Sequence, residues 1–155
     1  SAIGYSAILM ASSSSDVKIT TIERDETNYM ECLKNVKKCG FEGKINVVFQ
    51  DALEVNLTEG TKYDLIFIDA AKGQYKRFFE KYQYFLAPNG AIITDNLKFH
   101  GYVGKSAKIE SKNLRQLVSK IEGYIEFLKT NEEFDTTFYD VGDGVSVSVR
   151  HKDEK

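Results

Sequence analysis

The sequence predicts an α/β fold built on a doubly wound, mostly parallel sheet. Segments of helical and of extended character alternate along the 155 residues, which is the pattern of strands joined by crossover helices. The segment YDLIFIDA at 63–70 is apolar almost throughout, as expected of a central parallel strand buried on both faces. Two alternating segments flank an Asp-Gly pair at 143–144. We therefore expect a closing hairpin that places one antiparallel strand at the edge of the sheet or within it.

The first half of the chain alternates between helix and strand. KITTIE and INVVF are rich in β-branched residues, which favour strands. The segment 25–40 is an amphipathic helix that Asp25 can cap and Gly40 can end. Its inward stripe is predicted to consist of Tyr29, Leu33, Val36 and Cys39. The predicted elements are a helix at 5–12, a strand at 18–23, a helix at 25–40 and a strand at 45–49.

The second half repeats this alternation and ends in the hairpin. Aromatic residues at helical spacing predict a helix whose inward side chains are Tyr75, Phe78, Phe79, Tyr82 and Phe85. A later helix is predicted to direct Leu114, Leu117, Ile121, Ile125 and Leu128 inward. The predicted elements are strands at 63–70 and 91–96, helices at 73–86 and 111–129, and two strands within 133–151.

Composition narrows the class of protein. With 155 residues, 42% of them hydrophobic, the chain has the size and apolar content of one folded domain over 1–155. Its net charge of −2 is not that of a basic nucleic-acid binder, and no apolar run approaches the roughly 20 residues of a membrane span. Cys32 and Cys39 lack zinc-ligand spacing and lie roughly 10 Å apart on a helix. We expect two reduced, largely buried thiols in a cytoplasmic protein.

The candidate binding residues follow predicted strands, because ligands of open α/β sheets bind beyond the carboxyl ends of the strands. In the opening turn, Gly4 permits close backbone approach and Ser6, at a helix N-terminus, can hold a carboxylate. Glu23 ends the strand at 18–23, about 20 residues later, a position that often binds ribose hydroxyls. Asp51 and Ala52 follow the next strand. Two alternatives stay open: Glu23 is a solvated acid, and Asp51 only caps a short turn.

A second group of polar residues follows two apolar strands that should be neighbours. Asp69 ends the first strand, and Asp95 and Asn96 end the next. Acidic side chains at the tips of apolar strands need a neutralising partner. Three oxygen donors without Cys or His suit Mg²⁺. Lys72 lies one turn beyond Asp69. The open alternatives are that Asp69 caps the following helix and that Lys72 is an ordinary surface lysine.

The turn at the start of the chain predicts a strand that is not in the sequence. A glycine turn that enters a helix is normally positioned by a preceding strand, yet this turn begins at Ser1. We therefore expect one more strand before Ser1 and interpret the chain as part of a longer protein.

Several motifs together resemble those of one enzyme family. SAIGYSA, TIERDE, DLIFIDAAKGQY, IITDN and VGDGVSVSV resemble the cation-dependent O-methyltransferases that use S-adenosylmethionine, which include catechol and caffeoyl-coenzyme A O-methyltransferases. The resemblance runs from Ser1 to about Arg150. FIDAAKGQY, TDNLKFHG, KIESKNLRQLVSKI and VGDG are most similar to a bacterial branch, the tRNA 5-hydroxyuridine methyltransferases. The resemblance implies a Rossmann-like class I methyltransferase fold whose first strand and upstream helices are missing from this chain.

The resemblance also implies a role for each candidate residue. The methionine half of the cofactor would lie against the turn of Ala2, Gly4, Tyr5 and Ser6, with Ser6 on its carboxylate. Glu23 would bind the ribose, and Asp51 and Ala52 would flank the adenine. Asp69, Asp95 and Asn96 would hold Mg²⁺ or another divalent cation, with Asp69 also near the methionine amino group. Lys72 matches the candidate catalytic base of the family.

The predicted acceptor carries two adjacent oxygens. Metal chelation selects vicinal oxygens, which both 5-hydroxyuridine in tRNA and small catechol-like phenols provide. Six cations and one acid between Asn96 and Lys120 give that segment a charge of +5, which favours tRNA as the first choice. The open alternative for this segment is a solvated lysine-rich loop and helix face. Catechol-like acceptors are the alternative, and an inactive cofactor-binding fragment is the third. In the family the upstream helices often build a dimer, so the resemblance also allows a homodimer of the full-length protein.

Overall fold

The computed structural model describes residues 2–152, which form two compact units divided between Leu57 and Thr58. We call them unit 1 and unit 2 and describe each by itself. Both units combine strands with helices, and strands pair in parallel in each. The predicted α/β class is therefore confirmed. Ser1, the first residue of the predicted turn, lies outside the described residues.

Unit 1 contains two parallel strands and two helices. The strands β1 (Ile19–Glu23) and β2 (Ile45–Phe49) pair from Ile19 opposite Ile45 to Glu23 opposite Phe49. The helices are α1 (Tyr5–Ser12) and α2 (Glu26–Lys38). The side chain of Asp25 caps α2 by accepting a hydrogen bond of 2.8 Å from Asn28 N, as predicted. The core consists of Ala7, Ala11, Cys32, Val36 and Ile45.

The buried face of α2 differs from the predicted stripe. Cys32 and Val36 are buried and Tyr29 is half-buried, whereas Leu33 and Cys39 are exposed. The reason is that α2 packs through positions i and i+4 at Cys32 and Val36, and Leu33 lies about 100° further around the helix. The prediction of two largely buried thiols is therefore correct for Cys32 and wrong for Cys39.

Unit 2 contains a four-stranded mixed sheet. Its elements are β3 (Tyr63–Ile68), α3 (Tyr75–Tyr82), β4 (Leu86–Thr94), α4 (Lys112–Lys129), β5 (Phe134–Tyr139) and β6 (Val145–Arg150), with short 3₁₀ segments at Lys72–Gln74, Gln83–Phe85 and Ser106–Lys108. The strand order is β3-β4-β6-β5. β3 and β4 are parallel, while β6 is antiparallel to both of its neighbours. The predicted single antiparallel strand is thus confirmed, and it lies within the sheet.

Two boundaries in unit 2 differ from the prediction. The predicted helix at 73–86 is a short α-helix with a 3₁₀ segment at each end. β4 begins at Leu86 and not at 91, because Leu86 already pairs with Tyr63 before an irregularity shifts the register to Leu65 opposite Ala91. The segment between these two pairs contains Pro88, Asn89 and Gly90, which are residues that favour turns.

An aromatic core fills the space between the sheet and the helices of unit 2. The Phe79 ring is fully buried and lies edge-on to Tyr124, Phe127 and Phe134, with centroid distances of 6.3, 5.5 and 5.0 Å. The hydroxyls of Thr94 and Tyr124 share a buried hydrogen bond of 2.8 Å. The predicted inward residues of α3 are buried, with Phe85 half-buried. In α4, Val118 and Tyr124 take buried positions that were not predicted, while Leu114, Leu117 and Ile125 are half-buried.

The strand β3 is buried on one face only. Ile66 and Ile68 are buried, but Leu65 is 43% exposed and Phe67 is 39% exposed. Its predicted burial on both faces is therefore wrong for the described residues. Within unit 2, α3 packs against β3 and β4, and only one face of the strand meets it. Among residues 2–152, no helix is both long enough and apolar enough to cross a membrane.

Candidate functional site

The turn that opens unit 1 is held tightly against α2. Gly4 caps the N-terminus of α1 in the left-handed region with φ of +89°, and a Cβ at this position would lie 2.7 Å from Cys32 Sγ. Asn35 Nδ2 donates a 3.0 Å hydrogen bond to Ile3 O. Tyr5 and Ser6 follow in the exposed first turn of α1. The turn therefore needs glycine both for its backbone conformation and for the close contact with α2.

The substitution Gly4→Ala is expected to destabilise the protein by about 2–5 kcal/mol. A left-handed alanine costs about 1–2 kcal/mol, and the contact with Cys32 adds overpacking of about 1–3 kcal/mol. Urea unfolding followed by circular dichroism measures the change. Gly43→Ala is the control, because a Cβ there meets no atom within 4 Å. A Gly4→Ala protein as stable as the Gly43→Ala protein would contradict the expectation.

Glu23 lies at the carboxyl end of β1 and binds backbone N–H groups. Its carboxylate accepts hydrogen bonds from Ala2 N at 2.7 Å, Arg24 N at 2.9 Å and Asp25 N at 2.9 Å. Partial burial acts to raise the pKa of Glu23, but hydrogen bonds, including those from Asp25 N and Ala2 N, outweigh it and lower the pKa below 4.5. Glu23 is therefore ionised at neutral pH, and it connects the opening turn with the end of β1.

Asp51 caps a turn at the same end of the two-stranded sheet. Its Oδ1 accepts from Leu53 N at 2.8 Å, and its backbone oxygen accepts from Glu54 N and Val55 N. Its Oδ2 lies 3.3 Å from Arg24 Nη1. The turn-capping alternative thus describes a real role of Asp51, and Ala52 lies half-buried inside that turn. Whether either residue also flanks adenine stays a prediction.

In unit 2 the structure brings Asp69, Asp95 and Asn96 together at the carboxyl ends of β3 and β4. Ile68 pairs with Thr94 in the parallel ladder, and Asp95 N donates to Ile68 O at 3.2 Å. Asn96 Nδ2 donates to Asp69 Oδ1 at 3.0 Å, and Asn96 N donates to Asp95 Oδ1 at 2.6 Å. No side chain caps α3 or the 3₁₀ segment before it. Asp69 therefore does not cap that helix, and this alternative is wrong.

The donor chemistry of these three residues fits a hard divalent cation. They offer two carboxylates and one amide, and oxygen donors of this kind suit Mg²⁺. Asn96 directs its Nδ2 toward Asp69, and a half-turn of the amide would present Oδ1 instead. Across residues 2–152, no group of three or more His, Cys, Asp or Glu side chains is arranged to hold a metal ion. The amide of Asn96 is therefore an essential member of the candidate set.

Tyr75 holds one of the three candidate metal residues, Asp95, in position. The sequence predicted Tyr75 only as a core residue. Its hydroxyl donates a 2.9 Å hydrogen bond to the backbone oxygen of Asp95. Burial, together with the negative charges of Asp69, Asp95 and Asp143, raises the pKa of Tyr75 above its ordinary value of 10.0. The phenol therefore stays protonated as a donor. The convergence of three acids on one phenol was not visible in the sequence, because the acids belong to three different loops.

Asp143 is the second residue that sequence reasoning missed. It lies in the hairpin turn between β5 and β6, and both of its carboxylate oxygens accept from His100 N, at 2.8 and 3.1 Å. Its backbone oxygen accepts from Lys98 N at 2.7 Å. The Asp-Gly pair predicted the turn correctly but gave no sign that the turn docks on the loop after β4. Asp143 thereby anchors the loop that directly follows Asp95 and Asn96.

Lys72 lies at the start of the 3₁₀ segment before α3 and is half-buried. Its Nζ lies 5.8 Å from the centroid of the Phe99 ring, a cation–π distance. Phe99 and His100 both adopt left-handed backbone conformations, with φ of +45° and +54°. The ammonium group of Lys72 therefore lies beside the loop that follows β4. Its role as a base stays a prediction.

Comparisons with known proteins agree with this fold. The family model described as O-methyltransferase matches residues 2–151. A solved structure from Staphylococcus aureus, provisionally named a caffeoyl-CoA O-methyltransferase, is 40% identical with a TM-score of 0.89 and covers 97% of this chain and 72% of that one. A caffeoyl-CoA O-methyltransferase from Stellaria longipes is 31% identical over 95% of this chain and 64% of its own length.

A more distant structure shows the fold alone. A Podospora anserina methyltransferase, solved with S-adenosylhomocysteine bound, is 22% identical with a TM-score of 0.85, covering 96% of this chain and 68% of that one. The chain spans about 65% of the length of the curated relatives that it matches.

Proposed function

The chain belongs to the O-methyltransferase family, and on that premise we propose that it transfers the methyl group of S-adenosylmethionine to a hydroxyl of an acceptor with two adjacent oxygens. The observation that carries the proposal is the convergence of Asp69, Asp95 and Asn96 at the ends of β3 and β4. Three oxygen-bearing side chains at one point suit a divalent cation, and a cation with open positions suits a chelating acceptor.

The residues of unit 1 are proposed to hold the cofactor. The ionised carboxylate of Glu23 is a strong acceptor for ribose hydroxyls in addition to its backbone partners. The exposed first turn of α1 offers the hydroxyl of Ser6 and its backbone N–H groups to a carboxylate. Ala2, Gly4 and Tyr5 shape this turn. Asp51 and Ala52 are proposed to border the adenine.

The residues of unit 2 are proposed to hold the metal and to aim the acceptor. Asp69, Asp95 and Asn96 would hold a divalent ion, which when bound lowers the pKa of an acceptor hydroxyl and fixes its orientation. Tyr75 keeps Asp95 in place through the bond to its backbone oxygen. Lys72 either removes the acceptor proton as a neutral amine or stabilises the oxyanion as an ammonium group. A kinetic pH profile of Lys72→Arg distinguishes the two roles.

A phenolic acceptor is the candidate that the relatives favour. The Stellaria longipes relative is named for caffeoyl-CoA, whose caffeoyl group carries two adjacent phenolic oxygens. Chelation through adjacent oxygens is what the three donors of unit 2 can support.

A tRNA acceptor is the second candidate, and a charge distribution favours it. The segment from Asn96 to Lys120 carries +5 in a chain whose net charge is −2. It begins directly at the candidate metal residues. A polyanionic acceptor would gain affinity from such a segment through its phosphates. The hydroxyl would then be that of 5-hydroxyuridine, beside the 4-carbonyl oxygen.

One assay tests the function and separates the acceptors. The chain is incubated with labelled S-adenosylmethionine and magnesium, together with caffeoyl-CoA, catechol or tRNA from cells that lack 5-methoxyuridine. Mass spectrometry then identifies the methylated product. Activity that survives exhaustive chelation would refute the metal role. Calorimetric binding of the cofactor without transfer to any acceptor would favour the inactive cofactor-binding fragment.

The substitution Glu23→Ala is expected to weaken cofactor binding about tenfold or more, because hydrogen bonds to a charged group contribute about 1.5–3 kcal/mol. Calorimetric titration of S-adenosylmethionine measures the loss, and Glu26→Ala, an exposed acid on α2, is the control. Unchanged affinity after Glu23→Ala would contradict the ribose role.

Glu23 also makes folding stability depend on pH. Because the pKa of Glu23 is lowered on folding, its contribution to the free energy of unfolding is complete above about pH 4.5 and is lost as the pH falls through the lowered value.

A further inference from the structure

A basic groove in unit 2 lies between the start of α3 and the middle of α4. It is open to solvent, has a volume of about 560 Å³ and is lined by Gly73, Gln74, Tyr75, Lys76, Arg77, Lys120, Gly123 and Tyr124. The lining residues include three cations and no acid. Lys120 belongs to the basic segment that follows the candidate metal residues, whereas the proposed function assigns no role to Lys76, Arg77 or the glycines of this groove.

The cations of the groove are placed where an anion would stabilise them. Lys76 and Arg77 lie in the first turn of α3, which holds no acidic residue and no side-chain cap. Cations at a helix N-terminus are repelled by the helix dipole, and an anion reverses that repulsion. Glu80 lies 3.8 Å from Lys76 Nζ, and Arg77 Nη1 donates to Gln74 Oε1 at 3.2 Å. Only one of the three cations therefore has a carboxylate partner among the described ion pairs.

Two glycines leave bare backbone on the walls of the groove. Gly123 lies in the interior of α4, where glycine is less favourable than alanine. A Cβ at Gly123 would meet no atom within 4 Å, so packing does not require glycine there. On the opposite wall, a Cβ at Gly73 would lie 3.4 Å from Lys120 Cδ. The Lys120 side chain thus lies along a bare backbone surface, with its charge available to a ligand in the groove.

We propose that this groove binds a phosphate group of the acceptor. The inference rests on the proposed function and names a second contact for the same acceptor. Tyr75 lines the groove and donates to Asp95 O, and Lys72 directly precedes Gly73. The groove is therefore separated from the candidate metal residues by the side chain of Tyr75. The phosphate belongs either to a coenzyme A thioester or to the backbone of an RNA, since both candidate acceptors carry phosphate.

Binding measurements without S-adenosylmethionine test the groove directly. The probes are coenzyme A, titrated calorimetrically, and a fluorescently labelled 17-nucleotide RNA hairpin, followed by anisotropy. Lys120→Glu is expected to weaken binding of the cognate probe at least tenfold and to reduce its salt dependence. Lys129→Glu makes the same charge change at an exposed position of the same helix, outside both the groove and the basic segment 96–120, and its affinity should stay within threefold of the wild type. The probe that responds identifies the source of the phosphate.

A second variant separates shape from charge. Gly123→Gln places a side chain in the groove without changing the net charge and is expected to weaken binding at least fivefold in a protein whose circular dichroism is unchanged. Equal losses for Lys120→Glu and Lys129→Glu, or no binding of either probe to the wild type, would overturn the proposed phosphate site. Methylation of catechol, which has no phosphate, should be unaffected by Lys120→Glu. Groove-dependent binding without any methyl transfer would instead refute the proposed function and leave the groove standing.

Discussion

Replacing either Asp69 or Asp95 with alanine is expected to lower methyl transfer at least about a thousandfold. A metal ion contributes several kcal/mol to such a reaction, and each 1.4 kcal/mol corresponds to a factor of ten in rate. Asp69 Oδ1 and Asp95 Oδ1 both lie within 3.0 Å of nitrogen atoms of Asn96, so each substitution removes a donor from the same small cluster. The measurement is the initial rate with labelled cofactor at saturating magnesium.

The control for these substitutions is Asp64→Ala, which removes an exposed acid from β3, the strand that precedes Asp69. Its rate should stay within threefold of the wild type. Binding of Mn²⁺, followed by electron paramagnetic resonance, gives a readout that does not depend on turnover and should be lost in Asp69→Ala and Asp95→Ala. Wild-type Mn²⁺ affinity in both variants would show that these carboxylates do not hold the metal.

The substitution Phe79→Ala is expected to destabilise the protein by about 3–5 kcal/mol, the usual loss for a fully buried aromatic side chain. Phe79 is completely buried and contacts the rings of Tyr124, Phe127 and Phe134. The lost ring leaves a cavity between α3, α4 and β5 that a close-packed core cannot fill. Because domains of this size have about 5–15 kcal/mol of stability, the effect is a large part of the total. Urea unfolding monitored by circular dichroism measures it.

The matched control is Phe138→Ala in β5, since Phe138 is 39% exposed. Its loss should be below about 1.5 kcal/mol. Phe79→Leu should lie between the two, because it keeps much of the buried volume. Equal losses for Phe79→Ala and Phe138→Ala would mean that the aromatic cluster is not the centre of the core of unit 2.

The neighbouring positions of Asp69 and Asp95 could be predicted because two rules suffice for them. Apolar runs locate the strands, and parallel strands in sequential β-α-β order commonly pair, so their carboxyl ends meet. The pairing of Ile68 with Thr94 shows both rules at work. The same local logic located the cap at Asp25 and the hairpin at Asp143 and Gly144.

Other features depend on contacts between distant segments, which a single sequence does not encode. The face of α2 that is buried depends on where Ala7 and Ala11 lie, so periodicity placed Leu33 on the wrong side. The bond from Tyr75 to Asp95 O and the docking of Asp143 on His100 join parts of the chain 20 and 43 residues apart. Such contacts follow from the packed fold and have no periodic signature.

The exposed side of β3 has a consequence for how the protein behaves in concentrated solution. Among the strands of residues 2–152, β3 is hydrogen-bonded to β4 alone, and it carries the exposed side chains of Leu65 and Phe67. A strand with an open edge and apolar side chains offers a template on which another chain can add. Crowding therefore favours reversible clustering of the isolated chain, and dilute, cool handling should keep it monodisperse.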